Sequence, residues 1–328
     1  MGDILFSHPF LRAIRKAYPE AYIACVVVPE YADLLTNNPW INEVHVLSDN
    51  NKISSLREKI SFTRIIKGGE YDTCFFLKPS NTKSIIAAFA GIKERIGFVG
   101  KNGTLTKAVE IPKGKRHRAD IILSLAGAVG VTEADGTYEY VVSDIDKAHA
   151  DAILHKKKAG VRYIIGINPG SNWEAKKWLS NNFVRVARKL LLRFDDIEIM
   201  ITGAEKDSKL AKKMVEDIDS DRCYSVAGET GLKELAELFR RCILVISADS
   251  GPLHLASAVK TTTIGLFGPT SHEITGTIGK GKNIIIQNKI DCKIPCYEKE
   301  CKKKYVCMGS ITVEKVFDVA EKVLSKNI

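Results

Sequence analysis

Residues 245–270, VISADSGPLHLASAVKTTTIGLFGPT, constrain the fold of this chain more than any other stretch. The apolar run 243–246 has the length of a buried strand, and Ala248-Asp249-Ser250-Gly251 follows it with turn and helix-capping residues. Leu253, Leu255, Ala256 and Val259 then recur at helical spacing. A second apolar run, 262–267, reads as another strand and stops at Gly268-Pro269-Thr270. Strand, turn, helix and strand make a βαβ unit with parallel strands, so both turns open on one edge of the sheet.

That edge suits an anion. Backbone N–H groups in the first turn of a helix lack intrahelical partners and lie at the positive end of its dipole. Gly251 lets a phosphate approach the backbone, the Ser250 hydroxyl adds a donor, and His254 lies one turn further on the same side. Asp249 is an acid in an anion-seeking place, which suits it to orient N–H groups or to bind sugar hydroxyls. The alternative is an ordinary helix cap with a satisfied histidine.

DSGPLHLASA with GLFGPT after it resembles the donor-site signature of the ADP-heptose:lipopolysaccharide heptosyltransferases, glycosyltransferase family nine. The similarity extends over nearly the whole chain. It implies a GT-B fold: α/β, two facing Rossmann-like domains with parallel sheets. Residues 1–157 would bind the acceptor and residues 158–328 the ADP-sugar, the boundary falling near 155–160, where the polar segment 132–160 carries Lys156-Lys157-Lys158.

The pattern of the residues is in keeping with that fold. A helix-like run at 9–17 is followed by strand 21–28, a helix near 30–35, strand 44–47, helix 54–66, strand 71–77, a helix opened by Ser80 that reaches Ala90, and strand 91–98. Such alternation is the doubly wound α/β pattern. Helix 118–129, with Gly130 at its end, closes this part. The opening Met1-Gly2-Asp3 resembles the family's N-terminal Gly-Asp motif, but the apolar strand that precedes the motif in the family is missing here. A central parallel strand left out would orphan buried ladder groups, so the expectation is a start codon assigned too late or a truncated chain.

By its residues Asp3 is a helix N-cap or a carboxylate presented at a strand end within reach of an acceptor hydroxyl. The resemblance implies the second: Asp3 would be the catalytic base that deprotonates the acceptor. The loop 101–118 brings Lys101, Lys107, Lys113, Lys115, Arg116 and Arg118, either a solvated face or a contact for the phosphates and carboxylates of a lipopolysaccharide inner core.

The second half starts at strand 163–168 with INPGSNWEAKKW behind it. This segment resembles the family's phosphate-binding loop, which implies that Lys176 binds the diphosphate and that Ser171 and Asn172 donate hydrogen bonds to it. A lysine there can neutralise the charge that develops on a departing nucleoside diphosphate. After helix 180–192 and strand 197–202 comes Gly203-Ala204-Glu205-Lys206-Asp207, where a carboxylate behind a strand end is placed for ribose hydroxyls. The match to the family's positions implies Asp207 as the nucleoside contact, with Glu205 the close competitor. The run 227–235 resembles the family's loop that packs on the base, with Thr230 at the matching position, and leads into helix 232–240. A terminal amphipathic helix spans 312–325.

Four of the eight cysteines, Cys25, Cys74, Cys223 and Cys242, stand singly in or beside strands and helices and read as buried thiols. Cys292, Cys296, Cys301 and Cys307 cluster among lysines. They fit a reduced structural loop, a metal site or two disulfides, the last disfavoured in a cytoplasmic protein.

Net charge is +10, spread over both halves. Nothing in the sequence resembles a nucleic-acid-binding module, which leaves phosphorylated substrate or an anionic membrane surface as partners. With neither a signal peptide nor an apolar run of membrane-spanning length, the expected place is the cytoplasm or the inner face of the cytoplasmic membrane. The resemblance implies inverting transfer of heptose from ADP-heptose to the lipopolysaccharide core, with no cofactor required. Alternatives are a GT-B transferase using another nucleotide sugar, a catalytically silent nucleotide-sugar binder, and a metal or redox module built on the cysteine loop.

Overall fold

The structure, a computed structural model, describes residues 1–36, 38–47, 55–100, 103–132, 134–154, 161–298 and 300–328. Ser54, Lys101, Lys156-Lys157-Lys158 and the expected boundary at 155–160 lie outside the described residues. The chain forms two compact units, Phe6–Thr137 and a second made of Tyr138–Ile328 together with Met1–Leu5.

In the unit Phe6–Thr137, strands β1 (Ala24–Val27) and β2 (Glu43–Val46) form one parallel pair. Strands β3 (Thr73–Phe76), β4 (Glu94–Phe98) and β5 (Lys107–Val109) form a separate parallel sheet, and among the described residues no strand joins β1 to β3. The helix Leu56–Gly68 begins with a capping box between Ser55 and Glu58, and the helix Asn81–Phe89 is capped by Ser80, whose hydroxyl accepts from Lys83 N–H. Ile66 and Ala87 of these helices, with Ala90 and Ile92 just after the second, form a buried cluster with Phe76. The expected helix 118–129 is an α-helix, Arg118–Leu123, continued as a 3₁₀ turn to Val129 and ended by Gly130 at φ 83°. β5 falls inside what the sequence presents as a charged loop, because three residues are too few to show an alternating pattern.

The other unit holds a six-stranded parallel sheet: β6 (Tyr163–Asn168), β7 (Ile197–Ile201), β8 (Cys223–Ser225), β9 (Cys242–Ala248), β10 (Thr263–Phe267) and β11 (Asn283–Gln287). Their order is β11-β10-β9-β6-β7-β8. β6 therefore sits between β7, which follows it in sequence, and β9, which begins the second half, so the β6–β9 junction is where the winding reverses. Open α/β sheets bind ligands outside the carboxyl ends of the strands at such a point.

Near-continuous apolar strands such as β7, buried along its whole length, are what a sheet covered on both faces requires. The helices Ser180–Arg193, Ser208–Ile218 and Val313–Leu324 supply much of one cover, with Phe183, Leu190, Met214, Val316 and Leu324 packed on Ile165, Ile199 and Leu244. The indole of Trp178 is buried and donates to Ile311 O at 2.9 Å, tying the segment after β6 to the approach of the last helix.

The units divide earlier than the sequence suggests. The segment 138–154, expected in the first domain, carries the helix Asp144–Leu154, which packs on the helix Leu232–Arg241. Arg241 anchors it by pairing with Asp151 and by donating to Lys147 O. Met1–Leu5, also expected in the first domain, packs on the helix Gly251–Ala258.

Candidate active site

The residues singled out after β6, β7, β8 and β9 lie on one edge of the six-stranded sheet, because parallel strands place all their carboxyl ends together. The strand ends at the reversal point are stitched by small polar groups. Asn168 Nδ2 lies 3.1 Å from Gly170 O and 3.4 Å from both Ser247 Oγ and Ser250 Oγ, while its Oδ1 accepts from Thr202 Oγ1 at 3.2 Å. The two serine hydroxyls are 3.0 Å apart. Nothing in the sequence pattern marks Asn168, Thr202 or Ser247, since each looks like the polar end of an apolar strand.

Ser250 starts the helix Gly251–Ala258 but does not cap it; its hydroxyl turns to Ser247 and Asn168 instead. The capping chemistry expected there is thus replaced by a bond across the strand ends, and the first N–H groups of this helix keep no side-chain acceptor from Ser250. At Gly251 a Cβ would meet Met1 Cβ at 2.8 Å and Met1 Sδ at 2.6 Å. The group that approaches in this structure is the Met1 side chain, so a phosphate reaching the Gly251 amide requires that side chain to turn away.

Asp249 departs from both roles expected of it. It is 3% exposed, and its carboxylate is shared among side chains: Lys176 Nζ at 2.7 Å and Thr270 Oγ1 at 2.6 Å on Oδ2, with His254 Nε2 3.7 Å from Oδ1. Burial alone would push this carboxyl up, but the His254 imidazole beside it and the charge of Lys176 outweigh it and hold the group at about 2. A buried carboxylate engaged in this way orients a lysine rather than sugar hydroxyls or main-chain N–H groups. Lys176 comes from the 3₁₀ turn Glu174–Lys176, with its ammonium 5.7 Å from the centre of the Trp173 ring.

The other candidates are arranged more loosely. Ser171 Oγ accepts from Trp173 N–H at 3.3 Å, and Asn172 Oδ1 accepts from Lys206. Asp207 caps its own turn by accepting from Ala204 N–H at 3.1 Å, and its carboxylate leans over Gly170, where a Cβ would meet Asp207 Oδ2 at 3.0 Å. The competitor Glu205 lies instead under Gly228. Thr230 sits in the loop between β8 and the helix Leu232–Arg241, pinned to the end of β7 by Gly228 N–H donating to Gly203 O at 3.0 Å.

Asp3, expected at the carboxyl end of a strand, lies exposed in the helical turn Gly2–Leu5, in the same unit as the sites just described. Of the basic loop, Lys107 belongs to β5 and donates to Ala128 O, while Lys113, Lys115, Arg116 and Arg118 are exposed.

The cysteine loop has a structural task. Cys296 N–H donates to Pro269 O at 2.7 Å, and Cys307 and Met308 close on Gly268, where a Cβ would meet Met308 Sδ at 2.5 Å. The turn after β10 is thereby buttressed from outside. Cys292, Cys296, Cys301 and Cys307 are free thiols, and among the described residues no three His, Cys, Asp or Glu side chains converge as a cation site. Burial pushes the thiols of Cys25, Cys74 and Cys223 up to about 12, and that of Cys242 upward as well.

A doubly wound sheet that brings a lysine and a glycine-opened helix start to its reversal point is an arrangement suited to nucleotide phosphates. Comparison with known proteins narrows the class. Residues 59–306 match the family described as glycosyltransferase family 9 (heptosyltransferase). A lipooligosaccharide heptosyltransferase 2 of Campylobacter jejuni is 30% identical over 332 aligned positions, covering 100% of this chain and 96% of the relative. The chain belongs to glycosyltransferase family 9. Among solved structures, a glycosyl transferase family 9 protein of Veillonella parvula superposes with a TM-score of 0.85 at 23% identity over 99% of this chain and 94% of that one. The E. coli ADP-heptose lps heptosyltransferase II gives 0.82 at 22% identity, over 99% and 96%. The expected α/β GT-B fold with parallel sheets is the fold of these proteins. Among the described residues no helix is long and apolar enough to cross a membrane.

Proposed function

We propose that this chain transfers heptose from ADP-heptose to the lipopolysaccharide core with inversion at the transferred sugar. The observation that carries the donor half is the meeting of Lys176 with Asp249 at the start of the helix Gly251–Ala258. The lysine ammonium has three N–H donors, of which Asp249 takes one, and the others are free to grip a diphosphate. Main-chain N–H groups of the helix start add a fixed positive potential on the same edge. As the glycosidic bond to ADP breaks, charge builds on the diphosphate, and these groups stabilise it where it develops. Lysine and helix dipole supply that stabilisation, so the reaction calls for no resident metal.

Asp207 beside Gly170 suits the ribose hydroxyls, and Thr230 the base. Asp3 acts as base on the acceptor hydroxyl, and the exposed cations 113–118 attract the anionic core saccharide at the inner face of the cytoplasmic membrane. The relatives' names support heptose as the sugar. Incubation with ADP-heptose and a heptose-deficient core acceptor tests the reading: a product heavier by one heptose is expected, and no product with any defined core acceptor defeats it.

A further inference from the structure

Phe89 ends the helix Asn81–Phe89 and is 78% exposed, an uncommon place for a large apolar ring on a folded surface. Ile85, one turn earlier, is exposed on the same side, while Ile86, Ala87 and Ala90 point into the unit Phe6–Thr137. The helix Leu56–Gly68 packs against this one and repeats the pattern. Leu56, 73% exposed, and Ile60 stand one turn apart on its solvent side, and Ile66 faces inward.

Both helices are cationic as well as apolar. Arg57, Arg64 and Lys67 are exposed on the helix Leu56–Gly68, Lys83 on the helix Asn81–Phe89 and Lys93 just behind it, and among the described residues none of these is in an ion pair. Several exposed cations of the other unit are tied to acids instead, as in Lys177–Glu174, Arg185–Glu314 and Lys213–Asp217. No acid occurs between Thr73 and Lys93. Burial and the neighbouring charge of Lys78 push the Lys83 ammonium below its ordinary value, a like-charge cost that an anion relieves. We propose that these two helices form the face by which the chain docks on an anionic lipid bilayer, Phe89 and Ile85 entering the headgroup–acyl boundary with Leu56 and Ile60 of the neighbouring helix.

Lipid phosphates compensate the unpaired lysines and arginines, and the acyl boundary takes the apolar side chains between them. A second copy of the chain suits the face less well: a two-fold contact sets like cations against each other on a chain whose net charge is already +10. The docking face deepens the membrane location in the reading above and rests on that part of it alone.

Sedimentation of the full chain with vesicles that carry no core acceptor tests it, so a failure to bind defeats the docking face and leaves the transfer reaction standing. The chain is expected to sediment with vesicles containing phosphatidylglycerol, to stay in solution with phosphatidylcholine alone, and to be released by added salt. Phe89→Ser is expected to weaken the partition about tenfold, the loss of one buried aromatic side chain, with ADP binding and thermal unfolding as in the parent. Arg57→Ser combined with Arg64→Ser is expected to weaken binding to the anionic vesicles as well. Leu192→Ser, which removes an apolar side chain 86% exposed on the other unit, is expected to leave the partition unchanged. No binding to the anionic vesicles, equal binding by Phe89→Ser and the parent, or an equal loss in Leu192→Ser overturns the proposal. A dimer in solution that Phe89→Ser dissolves also overturns it, giving the face to a second copy.

Discussion

The ammonium of Lys176 rests 2.7 Å from Oδ2 of Asp249, a carboxylate that is itself 3% exposed. Two residues far apart in sequence thus form the charged centre of the strand-end crevice. The acid fixes the lysine while two of its N–H groups remain for a ligand, a preorganisation that limits reordering when an anion arrives.

Asp249 should leave its mark on acid stability. Its carboxyl is held at about 2, below the ordinary 3.8, so its contribution is fully present above about pH 4 and is lost as pH falls through 2. The shift corresponds to about 2 kcal/mol. Asp249→Asn is expected to be less stable at neutral pH by at least that amount and to lose less stability between pH 4 and pH 2 than the parent. Denaturant titrations across that window check this; parallel curves for the two proteins would contradict it.

The turn after β10 offers a packing test. Gly268→Ala drives a methyl into Met308 Sδ, 2.5 Å from the new carbon, and should destabilise by about 1–3 kcal/mol. Met308→Ala opens most of the space, so the glycine substitution should cost clearly less in that background, with Cys307 Sγ, 3.2 Å from the new carbon, the contact that remains. Thermal unfolding of the four proteins measures the coupling, and equal losses in both backgrounds would remove Met308 as the obstacle.

How far the sequence carries this account depends on range. The βαβ unit through β9 and β10 is legible because apolar runs, a turn and a helical period follow one another within a short stretch. β8 and β5 are not, being three residues each, and β11 has no turn chemistry that sets it apart. Asp249 shows the same limit at the site. Its local neighbours suggest a role with N–H groups or sugars, but Lys176 and Thr270 reach it from other strand ends, and no local pattern announces a partner that topology supplies. Tyr138 is hidden for the same reason, since the segment around it reads as a linker until its hydroxyl is seen on His254.

Asp3 is exposed in the turn Gly2–Leu5 that packs on the helix Gly251–Ala258. The proposed role of acceptor base would have it touch the reaction but not the nucleotide. Asp3→Asn is therefore expected to bind ADP as the parent does while transfer falls at least about 100-fold, the scale of general-base assistance. Turnover with ADP-heptose and core acceptor reads the second quantity; a rate equal to the parent's would take Asp3 out of the mechanism.

The donor half of the proposed function requires the β6–β9 strand ends to hold a nucleoside diphosphate through Lys176 and the start of the helix Gly251–Ala258. Calorimetric titration of ADP into the full chain and into Lys176→Ala tests it most directly. Saturable one-site binding to the parent is expected, weakened about 10- to 100-fold in the variant, as loss of a charge-assisted contact implies. No uptake of ADP by the parent, or equal affinity in the two proteins, would contradict it.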